Sequence, residues 1–339
     1  MRPPAPRPGL TAAARPLMAP RALPPNPATT APPAAPPARA PPPSLPPADA
    51  ATLRAGIAQF YDESTGLWEA MWGDQLHHGL YRADDSPHKT NYDAQVDMID
   101  ALLSWAGVSN VTRMADVGCG VCGSARHVAT AFPGASAVGV TLSPHQASRA
   151  NALSAAAGLS DRVKAVVGDA VDPEAAGGAL QEGAFDLVWS LESGEHMPDK
   201  RAFVRRLAAL AAPGGRVIVA TWVHRDLGVG EEGLAPREEK LLARINRAYF
   251  LPPWCSGADY VAEFEGAGLV DVRSEDWSAL VAPFWGRVIR SALTLRGVVG
   301  LLRAGRKTIK GALAMPLMAR GFKRGTIKFV VLTAKRAEA

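Results

Sequence analysis

The chain is short of several things, and each shortage removes a class of protein. Its 339 residues hold only three cysteines, Cys119, Cys122 and Cys255, too few for a disulfide framework. No run of 18 apolar residues occurs, so a membrane-spanning helix is not expected. Acids are nearly missing from residues 1–50, where Asp49 is the single one, beside five arginines and 18 of the 29 prolines. Proline removes amide donors and fixes φ, so this segment builds no core. It also lacks the continuous apolar run of a secretory signal, because Arg15, Pro16, Pro20 and Arg21 interrupt each candidate. An Arg-rich, acid-poor leader of this kind reads as a cleaved organelle-targeting peptide in preference to a generic linker, although it is poor in serine.

Charge follows the same division. Of the formal +5, residues 1–50 contribute five minus one, or +4, which leaves the rest near neutral and gives no ground for wholesale nucleic-acid binding. Cys119 and Cys122 form C-x-x-C, a spacing that redox pairs use, but both fall inside a glycine turn. No second Cys/His pair follows at finger-like spacing, so no metal is expected.

That turn, within Arg113 to Ala131, is the most informative stretch. A short apolar run holding Asp116 and Val117 ends in glycines and passes into an alanine-rich segment, which reads as strand, tight turn, helix. Gly118 and Gly120 let the backbone turn sharply and approach a ligand. The helix opening at Gly123 has free N-terminal amides that favour a carboxylate or phosphate. Cys122 stands where a G-x-G-x-G loop would carry its third glycine.

Strand and helix patterns then alternate: strand Ala137–Leu142, helix Pro144–Ala157, strand Val163–Val167, strand Phe185–Leu191, helix Lys200–Leu210, strand Arg216–Thr221. This predicts a doubly wound α/β sheet with helices on both faces. Ahead of it, Leu53, Ile57 and Phe60, then Trp68, Met71 and Trp72, predict a helical lid, and Asn91–Trp105 an amphipathic helix. His77 and His78, taken as helical neighbours, would not share a face and so would not share a metal. Ligands of such sheets lie at the strands' carboxyl ends. Those ends carry Asp116 with Gly118, Thr141 to Gln146, Asp169 with Ala170, and Glu192 to His196, which together point to a bound nucleoside. No acid ends the second strand, which counts against a dinucleotide and leaves Ser143 or Gln146 for a ribose.

The motifs A-D-V-G-C-G (115–120), V-G-V-T-L-S-P-H-Q-A-S-R-A-N (138–151), F-D-L-V-W-S-L-E-S-G-E-H-M-P-D-K (185–200) and A-A-P-G-G-R-V-I-V (211–219) resemble those of class I S-adenosylmethionine-dependent methyltransferases. More narrowly, T-W-V-H-R-D-L-G (221–228), L-P-P-W-C-S (251–256), S-E-D-W-S (274–278), V-A-P-F-W (281–285) and K-T-I-K-G-A-L-A-M-P-L-M (307–318) resemble the gamma-tocopherol methyltransferase family of plant and algal plastids. The likeness runs from about residue 51 to the end. It implies a Rossmann-like methyltransferase domain over 51–339, with a lid at 51–110 and a cofactor core at 111–223. Insertions at 224–268 and 278–326 and a last strand at 327–333 would complete it.

The resemblance further implies S-adenosylmethionine as co-substrate, without a metal, and a tocopherol or related prenyl-lipid acceptor. The methyl would go to a ring carbon of gamma- or delta-tocopherol, giving alpha- or beta-tocopherol. Candidate cofactor residues are Asp116, Val117, Gly118, Cys119, Gly120, Cys122 and Gly123 in the loop, Thr141, Ser143 and Gln146 toward the ribose, Asp169 and Ala170 toward the adenine, and Leu191 and Glu192 after the fourth strand. Where the family carries a glycine this chain has Cys122. Alternatives are a prenylquinol or amine acceptor, or a non-catalytic binding protein on the same fold.

Carbon methylation needs a nucleophilic ring, which loss of the phenol proton provides; the free phenol pKa is about 10. Glu195, His196 and His224 are the candidate proton acceptors. Residues 286–325 hold ten basic residues and no acid, interleaved with Val288, Ile289, Leu293, Leu295, Val298, Val299, Leu301 and Leu302. That pattern suits a helix lying on an anionic membrane surface; the resemblance implies a plastid location, with which the leader is consistent, and a peripheral place at the inner envelope or a lipid-body surface is expected. The basic cluster offers few aromatic stacking platforms, so nucleic acid is not an expected partner.

Overall fold

The computed structural model describes residues 47–172, 174, 176–294 and 306–338. Most of the expected leader and the link 295–305 lie outside them. Two helices come first, α1 (Pro47–Trp72) and α2 (Asn91–Trp105), and then β1 (Arg113–Val117), α3 (Gly123–Ala131), β2 (Ser136–Thr141), α4 (Pro144–Ala156) and β3 (Val163–Val167). The second half runs β4 (Phe185–Leu191), a 3-10 turn Gly194–His196, α5 (Lys200–Leu210), β5 (Ala211–His224), α6 (Pro236–Tyr249), α7 (Gly257–Gly266) and β6 (Leu269–Asp276). It closes with α8 (Ser278–Val281), α9 (Pro283–Ala292), α10 (Arg306–Lys323) and β7 (Ile327–Arg336).

Local chemistry sets several of the boundaries. Ser143 caps α4, its Oγ accepting the Gln146 amide with Pro144 at the first helical position, and Asp199 caps α5 through the Ala202 amide. Thr90 and Asp93 form a reciprocal capping box at α2, satisfying donors that a helix start leaves unpaired.

The seven strands form one sheet in the order β3-β2-β1-β4-β5-β7-β6. The first five are parallel, and β7 runs antiparallel between β5 and β6. Strand order reverses between β1 and β4, which opens the crevice where ligands of such sheets bind. Strand side chains alternate between two cores. Met114, Trp189, Ile218 and Phe329 pack toward the lid side, whereas Val117, Val188, Val219 and Leu332 pack toward α5 and α7 with Phe203 and Phe264. Helices therefore cover both faces, as the alternation predicted.

Two differences from the sequence reading matter. The edge strand β6 was not anticipated: its sequence L-V-D-V-R-S-E-D is polar at five of eight positions, and its pairing with β7 shifts register between Val270 and Arg273. His77 and His78 are not helical, because α1 ends at Trp72, and the argument from helical faces does not apply to them.

Candidate active site

The carboxyl ends of β1 to β4 surround one open cavity, about 970 Å³ counted with the solvent at its mouth, at the position where ligands of such sheets bind. Of the candidates, Asp116, Gly118, Cys119, Gly120, Thr141, Ser143, Gln146, Asp169, Ala170, Leu191, Glu192 and His196 line it. Val117, Cys122, Gly123, Glu195 and His224 do not.

Each of those five has another setting. Val117 belongs to the opposite core, and its carbonyl accepts Ser193 Oγ at 2.8 Å. Cys122 is fully buried at φ 58°, the left-handed cap before α3. Its sulfur packs behind the loop: a Cβ built on Gly139 of β2 would come within 2.5 Å of Cys122 Sγ and 2.7 Å of Cys119 Sγ. Glycine at 139 thus gives both thiols room, and both are free. At Gly123 the crossing strand of chain is decisive, since a side chain would strike Gln75 Oε1 at 2.4 Å.

Glu195 lies beneath the cavity, accepting Thr221 Oγ1 at 2.8 Å. Burial, and then the Glu192 charge, push it up to about 8. Lys200 Nζ donates to the carbonyls of Gly194, Glu195 and Met197 at 2.9, 3.1 and 2.7 Å, fixing the turn that presents His196. His224 ends β5 with Nδ1 2.7 Å from the Arg225 carbonyl oxygen, so that nitrogen carries a proton and donates it.

The cavity wall suits a small cationic nucleoside. Gly118, at φ 77°, leaves no space for a side chain, because a Cβ would meet Ser193 Oγ at 2.5 Å. Asp116 is buried with Oδ2 unpartnered, and burial pushes its carboxyl up to about 7. A ligand carrying positive charge relieves that cost, and S-adenosylmethionine carries an ammonium and a sulfonium. The orphaned carboxylate oxygen and the glycine cradle therefore fit it.

Helix α1, the expected lid, packs beside the cavity and supplies residues the sequence did not reveal. Arg54 Nε lies 3.3 Å from Asp169 Oδ2, and Asp62 accepts Ser143 Oγ. Gln146 Oε1 accepts Thr141 Oγ1 at 2.8 Å, while its Nε2 donates to Thr65 Oγ1 at 3.2 Å. Tyr61 OH and His196 Nε2 are 3.0 Å apart. Burial depresses His196 to about 4, leaving a neutral imidazole at pH 7, and burial ahead of the Glu195 and Glu192 charges raises Tyr61.

One pairing was missed entirely. Glu192, at φ 56°, accepts the His78 amide at 2.6 Å through Oε1 and faces His78 Nδ1 at 2.5 Å through Oε2. The two histidines stood out in the sequence, but a partner 114 residues away carries no local signal.

Residues 115–217 match the family described as "Methyltransferase domain". The chain is 50% identical over 296 residues to "Tocopherol O-methyltransferase, chloroplastic" of Arabidopsis thaliana, spanning 84% of this chain and 82% of that one. It is 51% identical to "Probable tocopherol O-methyltransferase, chloroplastic" of Oryza sativa subsp. japonica, over 84% of this chain and 79% of the other. Among solved structures the [4+2]-cyclase SpnF superposes with a TM-score of 0.69 at 21% identity, covering 89% of this chain and all of that one, a likeness of fold alone. With that identity over that length, the chain belongs to the tocopherol methyltransferase family of S-adenosylmethionine-dependent enzymes.

Proposed function

We propose that the protein methylates gamma-tocopherol, and delta-tocopherol, at a chromanol ring carbon to give alpha- and beta-tocopherol in vitamin E biosynthesis. The observation that carries this reading is the position of His196, on the wall of the cavity at the strand ends with Nε2 3.0 Å from Tyr61 OH. Bound S-adenosylmethionine supplies an electrophilic methyl group on sulfur. Forming one carbon–carbon bond to a phenol ring releases one proton overall, and His196 on the cavity wall receives it. Asp116 and the Gly118–Gly120 loop hold the donor, Gln146 and Ser143 serve its ribose, and Asp169 with Ala170 its adenine. The α1 ties exclude water and align donor with acceptor, which supplies much of the rate in such transfers.

The relatives' names say tocopherol and chloroplastic, and the Arg-rich, acid-poor leader suits plastid import. They also say O-methyltransferase, so the receiving atom needs its own test. Residues 286–325 serve as a peripheral contact with an anionic membrane of the inner envelope or a lipid body. In the described part of that segment Leu293 and Leu313 are 74% and 76% exposed, beside exposed Arg290, Lys310, Arg320 and Lys323.

The test is incubation of the full chain with methyl-labelled S-adenosylmethionine and, separately, gamma-tocopherol, delta-tocopherol and a prenylquinol in detergent micelles. Label is expected in the two tocopherols. Label in the prenylquinol alone would overturn the acceptor assignment.

A further inference from the structure

His78 sits in a box of rings. Its centroid is 4.2 Å from Phe284, 5.0 Å from Trp285, 5.5 Å from Trp222 and 5.9 Å from Phe329, and the Trp222 and Trp285 centroids are 6.0 Å apart. Three polar atoms of this cluster, His78 Nε2, Trp222 Nε1 and Trp285 Nε1, are buried with no hydrogen-bond partner. A buried polar group without a partner is costly, and these three belong to rings in contact with one another.

Their chemistry is complementary to one group. Glu192 accepts from the His78 amide and faces Nδ1, so its carboxylate keeps the proton on Nδ1 and leaves Nε2 as a lone-pair acceptor. Each indole Nε1–H is a donor only. One acceptor and two donors match a phenol hydroxyl, which gives one hydrogen and has two lone pairs. The aromatic walls suit the ring that bears it. Glu192 also lines the cavity at the strand ends, so the box adjoins that cavity through the Glu192–His78 contact. Phe284 and Trp285 come from α9, which borders the exposed Leu293 and the basic segment.

We infer that the His78, Trp222 and Trp285 box is the seat of the acceptor's phenol, with His78 Nε2 taking the hydroxyl proton and Glu192 positioning His78. This rests on the proposed reading of a phenolic acceptor. The O–H bond breaks toward His78 while the ortho ring carbon forms its bond to the methyl carbon and the methyl–sulfur bond breaks, its electron pair staying on sulfur. The ring hydrogen then leaves as a proton to His196, aromaticity returns, and His78 gives its proton back to the oxygen. One proton is released overall, by way of His196.

The experiment compares wild type, His78→Ala, Glu192→Gln and Trp285→Phe in the full chain. It measures kcat and KM for gamma-tocopherol, binding of labelled gamma-tocopherol from micelles, and binding of S-adenosylhomocysteine. His78→Ala is expected to lower kcat by about 100-fold or more, to keep S-adenosylhomocysteine affinity within about threefold, and to recover at least about tenfold with added imidazole. Glu192→Gln is expected to lower kcat about tenfold. Trp285→Phe keeps the ring but loses the donor, and is expected to raise KM and weaken tocopherol binding about tenfold with little change in kcat. Wild-type kcat in His78→Ala, or loss there that imidazole does not recover, would overturn the proton role. Unchanged tocopherol binding in Trp285→Phe would overturn the seat, and stands even if His78→Ala does not fold. Wild type that methylates no phenol contradicts the proposed function instead, which separates the two failures.

Discussion

At the scale of single residues, Asp116 links pH to ligand binding. Burial raises its carboxyl from 3.8 to about 7, so between those values the folded protein binds more protons than the unfolded chain. Its contribution to ligand-free stability therefore falls as pH rises through that window. A cationic ligand draws the proton off, so affinity for S-adenosylmethionine should climb from about pH 5.5 to about pH 8 and then level. Calorimetric titration across that range should show the climb, and Asp116→Asn should flatten it and bind about tenfold more weakly at the upper end, as expected for a lost charge-assisted contact. Cys122 makes the opposite kind of prediction. Its left-handed φ favours glycine, while its buried sulfur fills space beside Gly139. These effects are each on the order of 1 kcal/mol and opposed. Cys122→Gly should leave the melting temperature within a few degrees and S-adenosylhomocysteine affinity within about threefold; tightening beyond tenfold would mean that the thiol reaches the ligand.

At the scale of elements, α1 is held over the cavity by polar ties through Arg54, Tyr61, Asp62, Thr65 and Glu69, the last pairing with Arg149 Nε at 2.9 Å. The part-exposed Arg54–Asp169 and Glu69–Arg149 pairs contribute little each, whereas Ile57, Phe60, Thr65 and Trp68 are buried, so α1 should stay docked without ligand and tighten when it binds. Hydrogen exchange should show amides of 54–69 slowed about tenfold or more by S-adenosylhomocysteine, with β1 and β4 unchanged; equal slowing everywhere would deny α1 a lid's role. The legible parts of the fold were those with local signals. Val163–Val167 and Phe185–Leu191 are short apolar runs with clear ends, and Ser143-Pro144 announces α4. β6 was illegible because an edge strand needs only one apolar face, and Asp271 and Arg273 obscure it. The loop and strand-end residues that line the cavity could be read from glycine and polar punctuation. Tyr61, Arg54 and the Glu192–His78 pair could not, since they meet only when the sheet brings distant segments together.

At the scale of the molecule, charge is segregated: residues 286–325 hold ten bases and no acid on a chain in which, among the described residues, no helix is long and apolar enough to cross a membrane. Such a surface should bind anionic vesicles at low salt and release them as ionic strength rises, because exposed charges are screened beyond about 10 Å at 0.1 M. Cosedimentation with anionic but not zwitterionic vesicles checks this, and its absence at low salt would remove the membrane contact. The family to which the chain belongs carries out methyl transfer from S-adenosylmethionine. The most direct measurement is the structure of the product formed from carbon-13 methyl S-adenosylmethionine and gamma-tocopherol, solved by magnetic resonance. The labelled methyl should be bonded to the ring carbon that completes alpha-tocopherol, beside a free hydroxyl. A labelled methoxy group on the phenol oxygen would contradict both the carbon-transfer chemistry and the hydroxyl's place against His78.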